Sequence, residues 1–474
     1  MIRERLHCEL LLAMVMAMAM AMVEKTSSSL LLLLLFDLFL SICLFAKLDA
    51  SVDADNAAVE RFRSYLVIPS VHPNPNYAPA VEFLLSQAQD IGLDAQTFEF
   101  AENKPVLVLT WKGKNPLLPS VLLNSHMDVV PAEKEKWKHD PFAAVLDEKG
   151  DIYARGSQDM KCVGMQYLEA VRRLKAKGFK PLRTLHISFV PEEEVGGVNG
   201  AEKFVPSEEF KALNVAVVLD EGLASPNETY RVFNGERSPW WLVIRATGAP
   251  GHGSKLYDNS ALENLIKSLD LISSYRASQF DLIKEGLAAE GEVVSVNPVF
   301  LKAGTPTPTG FVMNVQPSEA EAGFDIRLPP LADPVAFDKL IAEEWAPASR
   351  NLSFTFKQKV TVRNKKGLPC LTATDSSNPW WLLLKDSITK AGGSIGQPEI
   401  FLAATDARFV RDEGIPAFGF SPMANTPILL HDHNEFLNVR EYLKGIDVYC
   451  EIIETFSSYG GPDDQSKTSS HTEL

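Results

Sequence analysis

The sequence predicts an α/β fold, on three observations. Val106–Trp111, Ser120–Asn124, Thr184–Val190 and Val215–Leu219 are short runs rich in Val, Ile and Leu, bounded by polar or turn residues, as buried strands are. Helical periodicity falls between and around these runs, the alternation expected of a sheet with parallel strands. Three of the four runs end directly in His, Asp or Glu, where open α/β sheets build their sites.

The elements follow in order. Residues 75–95 carry apolar side chains at helical spacing and stop near Gly92. The first two strands come next. Cys162–Lys177 reads as a helix with Leu168, Val171 and Leu174 on one face, followed by the third and fourth strands. The character changes near Ser238. Trp240–Thr247, Val293–Val299, Phe311–Val315 and Glu321–Arg327 read as strands and Asn259–Tyr275 as a helix, a block compact enough to be an inserted domain. The α/β pattern returns near Lys365, with a helix over Asn378–Ala391, a strand over Ala417–Ser421 and a closing helix over Val439–Phe456. The expected division is therefore 51–238 and 364–458 for the α/β part and 239–363 for the insert. The tail, 459–474, is polar, with the composition of a disordered segment.

The chain has 474 residues, enough for two or three domains of roughly 100–200 residues each. Its 46% hydrophobic and 23% charged residues suit an ordinary globular enzyme. A formal net charge of −15 argues against nucleic-acid binding, which wants a basic face. The cysteines (Cys8, Cys43, Cys162, Cys370 and Cys450) form no C-x-x-C pair, so neither a thiolate zinc site nor a disulfide framework is expected. Residues 1–50 hold two apolar runs, LLLAMVMAMAMAMV and LLLLLLFDLFLSICLFA. The second, preceded by Lys25 and followed by small residues near Ala46–Ala50, reads as the centre of a secretory signal. An uncleaved anchor or a non-functional extension are the alternatives. A working signal implies the secretory pathway or the extracellular space; a non-functional one implies the cytoplasm. Membrane contact is expected only through this leader.

The chemistry sits at the strand ends. Ser120–Asn124 runs into His126-x-Asp128, an imidazole that could ligate a metal with a carboxylate that could orient it. A loop histidine beside a capping Asp reads the same locally. Asp159, in Arg155-Gly-Ser-Gln-Asp-Met-Lys161, is either a helix N-cap or a carboxylate bridging two cations. Glu192, Glu193 and Glu194 repel one another and must be solvated or neutralised by cations. If extended, neighbours face opposite sides, so one could ligate while the next serves as a base. Asp220-Glu221 admits the same two readings. His431 and His433 both lie in HDHNE, and either could complete a metal site. Gly251 and Gly253 flank His252 and leave it protruding. No G-x-G-x-x-G or P-loop sequence appears, which argues against dinucleotide and phosphoryl chemistry, and Ser254 lies in the GHGS turn of the middle block and not after a strand that starts a helix, which argues against a nucleophilic serine there.

Taken in order, SHMDVVPA, ARGSQDMK, VPEEEVGG, LDEG, GHGS, ATDARF and LLHDHNE resemble the M20 family of zinc peptidases and amidohydrolases. The resemblance spans about residues 57 to 456. It is closest to the family's N-acyl-amino-acid amidohydrolases, in stretches such as HDPFAAVLDEKGDIYARGSQDMKC, ERSPWW and GFSPMANTPILLHDHNE. It implies a zinc-dependent exopeptidase-like α/β catalytic domain interrupted by a smaller α+β dimerisation or lid domain. It also implies two zinc ions per subunit, with His126 and His431 on different metals, Asp159 bridging, and Glu194 and Glu221 completing one metal each. Glu193 is then the general base and Asp128 the partner of His126. Glu192 has little expected role, and His433 is not the ligand. His252 is expected to reach the partner subunit's site in a homodimer, with Asn314 and Arg327 as further substrate contacts and Arg408 on the substrate carboxylate. The implied reaction is hydrolysis of N-acyl-L-amino acids to a carboxylate and a free L-amino acid. Dipeptidase, carboxypeptidase or conjugate-hydrolase activity is the nearest alternative, and an inactive binding protein the remote one. Glu193 together with the full ligand set discriminates against the latter.

Overall fold

The computed structural model describes residues 52–461. The leader over residues 1–50, and the tail from residue 462, lie outside the described residues. Contacts divide the chain into Met1–Arg61 and Phe62–Leu474, and every element below belongs to the second unit.

Strands β1 (Asp94–Glu99), β2 (Pro105–Trp111), β3 (Ser120–His126), β4 (Leu185–Val190), β5 (Val215–Asp220) and β6 (Val232–Glu236) come first. Strands β7 (Ser238–Thr247), β8 (Ser295–Ala303), β9 (Glu319–Leu328) and β10 (Leu352–Lys359) form a separate four-stranded sheet. Strands β11 (Glu399–Phe401) and β12 (Ala417–Phe420) then return to the first sheet, whose order is β1-β2-β4-β3-β5-β12-β6-β11.

The sheet is mixed, which corrects the expectation of parallel strands throughout. Strands β4, β3, β5 and β12 run parallel, whereas β1–β2, β2–β4 and β12–β6 are antiparallel. The physical reason is local. Only five residues separate β1 from β2, a loop that can close a hairpin but not a parallel crossover. Strand β1 has no buried residue, so its alternation carried no core signal, and β6 and β11 are too short to show one.

The central strands read as continuous apolar runs because both faces are covered. Every residue of β3 and of β4 is buried. Register sets Leu123 of β3 opposite Ile187 of β4 and Leu219 of β5, and sets His126 beside Val190. The carboxyl ends of the three strands therefore open on one edge. Helix α1 (Ala78–Ile91) ends in Gly92 at φ 75°, as the sequence suggested. Helix α2 (Lys161–Ala176) lies so close to β3 and β4 that a Cβ on Gly164 would sit 2.7 Å from Ser125 Oγ and 2.8 Å from the Phe189 ring. Helix α3 (Ala261–Lys284) covers the second sheet, α4 (Pro379–Lys390) starts on an Asn378 cap, and α5 (Val439–Ser458) packs on α2 and α4.

The second sheet, ordered β8-β9-β7-β10 and antiparallel throughout, has its own core. Trp240, Leu242 and Ile244 of β7, Phe324 and Ile326 of β9, Leu265 of α3 and Trp345 pack together there. Phe311–Val315 is not one strand, a further correction. Gly310–Phe311 pairs with Pro306–Thr307, and Val315–Gln316 pairs with Gly251–His252. The chain turns between the two pairs, so its apolar residues (Phe311, Met313, Val315) stay exposed.

Leu123 is 0% exposed and touches strands on both sides. Leu123→Ala should cost about 2–5 kcal/mol of stability through lost burial and the cavity left behind. A urea midpoint unchanged from wild type would show that this part of the sheet does not carry the fold.

Candidate metal centre

Two triads of possible ligands share one carboxylate. His126, Asp159 and Glu221 form the first, and Asp159, Glu194 and His431 the second. His126 Nε2 lies 3.0 Å from Asp159 Oδ1 and 3.6 Å from Glu221 Oε2. His431 Nε2 lies 3.2 Å from Asp159 Oδ2 and 2.9 Å from Glu194 Oε2. The two oxygens of Asp159 thus face two different imidazoles, the geometry of a bridging group. Asp159 makes no helix cap: α2 begins after Met160 with no side-chain cap.

His126 is prepared for ligation by its other nitrogen. Nδ1 lies 2.9 Å from the Asp128 carbonyl, which can only accept, so Nδ1 carries a proton and Nε2 is the nitrogen turned to the cluster. Asp128 acts on His126 mainly through that backbone oxygen, since its nearer carboxylate oxygen is 3.8 Å from Nδ1. The carboxylate itself accepts from Glu193 N at 3.3 Å, Glu194 N at 3.1 Å and His72 Nε2 at 2.8 Å. It ties the end of β3 to the glutamate turn.

That turn is not extended. Glu193–Val195 is a single 3-10 turn, entered through Glu192 at φ 68°. Facing directions therefore come from the turn and not from strand alternation. Glu192 does more than the sequence suggested: its carboxylate accepts from Tyr77 Oη at 3.0 Å and Lys104 Nζ at 2.6 Å, and its N–H donates to Tyr77 Oη at 3.0 Å. Gly197 closes the turn at φ 66°, where a Cβ would come within 2.6 Å of Asp406 Oδ1.

Sequence reasoning also passed over Asp406, Gln158 and Glu435, each inside a quoted motif. Asp406 is buried, and neither carboxylate oxygen has a partner among the described residues. Burial, then the charge of Asp220, pushes it well above the ordinary carboxylate range. Glu435 accepts from Arg155, Gly156 N and Gln158 N. Burial pushes it up to about 7. Nothing in their spacing distinguishes these residues from surface acids and amides.

The electrostatics describe a site short of positive charge. Burial, then the charge of Glu221, pushes Glu193 well above its ordinary value. Burial, then the charge of Asp159, does the same to Glu221 and raises Glu194. Burial works against a charged Asp159, but hydrogen bonds from His126 and His431 prevail and hold it below the ordinary range. Burial disfavours a charged His126, yet Glu221 and Asp159 more than offset it and hold its pKa well above normal. Glu194 Oε1 is buried with no partner among the described residues. A donor set of three carboxylates and two imidazoles, with one orphaned buried oxygen, fits divalent cations.

The remaining predicted residues lie apart from this cluster in different ways. Arg408 donates from Nη2 to the Gly196 carbonyl at 2.8 Å, which places it against the glutamate turn. His252 is exposed in the second sheet's region, and its Nδ1 accepts from Ser254 N at 3.2 Å, leaving the proton on Nε2. Asn314 lies beside it, its carbonyl accepting from Gly253 N at 2.8 Å. Arg327 is at the far end of β9 from Asn314 and forms a two-point pair with Asp325, at 2.7 and 3.0 Å. The structure therefore brings His252 and Asn314 together but not Arg327 with them.

The profile described as Peptidase family M20/M25/M40 matches residues 122–455. Aminoacylase-1 of Mus musculus is 46% identical over 407 residues, covering 86% of this chain and 97% of that protein. Aminoacylase-1 of Dictyostelium discoideum is 46% identical over 406 residues, covering 84% and 97%. The fold matches the crystal structure of an M20 family metallo-carboxypeptidase from Sulfolobus solfataricus with a TM-score of 0.62 at 19% identity, covering 84% of this chain and 99% of that one.

His431 gives the centre a pH signature. The hydrogen bonds that it donates to Asp159 and Glu194 raise it from 6.5 to about 10. In the cation-free protein its ion pairs stabilise the fold fully below pH 6.5 and lose that contribution as pH rises through about 10. A cation binding at pH 7 must displace that proton. Calorimetric titration should give an enthalpy that changes with the buffer's own ionisation heat, with net proton release. Identical enthalpies in phosphate and Tris would contradict the arrangement.

Proposed function

The chain belongs to peptidase family M20/M25/M40, and from that premise we propose that it hydrolyses N-acyl-L-amino acids to a carboxylate and a free L-amino acid. The observation that carries the reading is Asp159 shared between two ligand triads, in a chain related along nearly its whole folded length to aminoacylase-1 proteins. The enzyme is a metal-dependent amidohydrolase. Two zinc ions are the occupants that this imidazole and carboxylate set suits best. His126, Asp159 and Glu221 would hold one, and Asp159, Glu194 and His431 the other.

Amides resist hydrolysis because the carbonyl is a weak electrophile and the amine a poor leaving group. When bound, the cations would polarise that carbonyl and lower the pKa of an attacking water. The protein's residues do the rest. Glu193, beside the cluster and not needed as a ligand, takes the water proton and returns it to the leaving nitrogen. Its raised affinity for a proton without metal follows from burial and then from the charge of Glu221, and the second part falls once cations neutralise that charge. Asp128 keeps the turn that presents Glu193 at a fixed distance from His126. Arg408, already on the Gly196 carbonyl, offers its planar guanidinium to the substrate carboxylate.

His252 carries its proton on Nε2, the tautomer that can donate to an oxyanion, a contribution on the order of 3 kcal/mol. We read it as serving a second copy of the chain. Strand β8 at the edge of the second sheet supports that reading, since Val299, Phe300 and Leu301 are exposed on it. Asn314 travels with His252. Arg327 contributes to substrate binding only if it releases Asp325. The leader supports the secretory pathway as the destination to be tested.

Two outcomes check the reading. Protein lacking residues 1–50 should release methionine from N-acetyl-L-methionine, lose that activity to a chelator and regain it with zinc. Release only from dipeptides would move the substrate to the peptidase side of the family. Glu193→Gln should keep its metal and lose about 10²–10⁴ in kcat; near-native turnover would remove Glu193 as the base.

A further inference from the structure

The two halves of the centre are not equally supported. His126 stands at the end of a fully buried strand, paired in register with Val190 and fixed by the Asp128 carbonyl. His431 stands on a loop at φ 62°, its side chain 51% exposed. No strand holds it. A half-exposed histidine on a loop would lose its ligand geometry without something to fix that loop relative to Asp159.

A reciprocal pair of side chains supplies the fixing. Gln158, next to Asp159, reaches across to the loop that carries His431. Its Nε2 donates to the Pro427 carbonyl at 3.0 Å and the Phe436 carbonyl at 2.8 Å, and its Oε1 accepts from Leu429 N at 3.0 Å. Glu435, at the end of that loop, reaches back. It accepts from Gln158 N at 2.6 Å and Asp159 N at 3.3 Å through one oxygen, and from Gly156 N at 3.2 Å and Arg155 Nη1 at 2.7 Å through the other. Both side chains are buried, and each satisfies backbone groups of the other's segment. Neither lies among the candidate ligands.

We propose that Gln158 and Glu435 are positioning residues that together set the affinity of the His431 cation site, leaving the His126 site to the strand ends. The proposal rests on the two-cation reading above. Removing the Gln158 amide strands one backbone N–H and two carbonyls of the His431 loop, and the loop then relaxes away from Asp159. The His126 site shares Asp159, whose N–H donates to Glu435, but its other two ligands, His126 and Glu221, are bonded to neither residue and keep their own supports.

The test is zinc titration of chelator-treated protein against a competing chromophoric chelator, for wild type, Gln158→Ala, Gln158→Met, Glu435→Gln and His431→Ala. Gln158→Met keeps the volume of the side chain, and thermal melts of the metal-free proteins establish that each variant is folded. Wild type should show two binding events. His431→Ala identifies which of them belongs to the loop site. In both Gln158 variants and in Glu435→Gln, that same event should weaken by about ten- to a hundredfold, the other staying within about threefold. Equal weakening of both events, or no change in either, in folded Gln158→Met would overturn the proposal. Wild type binding fewer than two ions would instead overturn the two-cation reading on which it stands.

Discussion

Unbalanced charge at the edge of a sheet is the constraint from which the other features follow. Asp159, Glu193, Glu194 and Glu221 crowd around two imidazoles, His126 buried and His431 half exposed. Carboxylates in that state either take up protons or are neutralised by cations. The cation-free protein takes the first course, with raised proton affinities at Glu193, Glu194, Glu221 and both imidazoles while Asp159 stays ionised. Its chemistry requires the second. The surrounding hydrogen bonds, Asp128 on the glutamate turn, Tyr77 and Lys104 on Glu192, and Gln158 with Glu435 on two loops, keep the donors in place through that exchange.

Much of this was legible in the residues. Strands β2 to β5 announced themselves because they are buried on both faces and made of Val, Leu and Ile. His126, Glu193, Glu194 and Glu221 could be found because they follow such runs directly. Asp159 was ambiguous locally, and only the order of the motifs favoured the bridging role over a helix cap. Antiparallel β1 escaped because its residues are exposed, and β6 and β11 because they are short. His72, Gln158 and Glu435 escaped for a different reason. Their importance lies in what they touch, and their partners are distant in sequence: 56 residues for His72 and Asp128, 277 for Gln158 and Glu435. Periodicity does not report contacts of that kind.

The second sheet divides labour with the first. Its core of Trp240, Phe324 and Trp345 is independent of the metal-bearing strands, so its outer residues are free to meet other surfaces. His252 and Asn314 sit on that exposed side, on a short ribbon that pairs Gly251–His252 with Val315–Gln316. Arg327, at the other end of β9, is committed to Asp325 and lies nearer the junction with the first sheet, opposite Pro239 of β7.

The joining of Asp159 to a loop near the end of the chain also dictates an order of events during synthesis. Asp159 N and its partner Glu435 are 276 residues apart, and the strand pairing of Phe436–Asn438 with Asp151–Tyr153 spans a similar interval. A ribosome releases Asp159, both glutamates of the turn and Glu221 long before His431 emerges. Between the emergence of Glu221 and that of His431 the nascent protein can assemble only the His126 half of its centre. The last hundred residues then close the sheet with β11 and β12, add the second imidazole and lay α5 over α2. A chain released early by a premature stop would retain the acidic cluster without the loop that completes it.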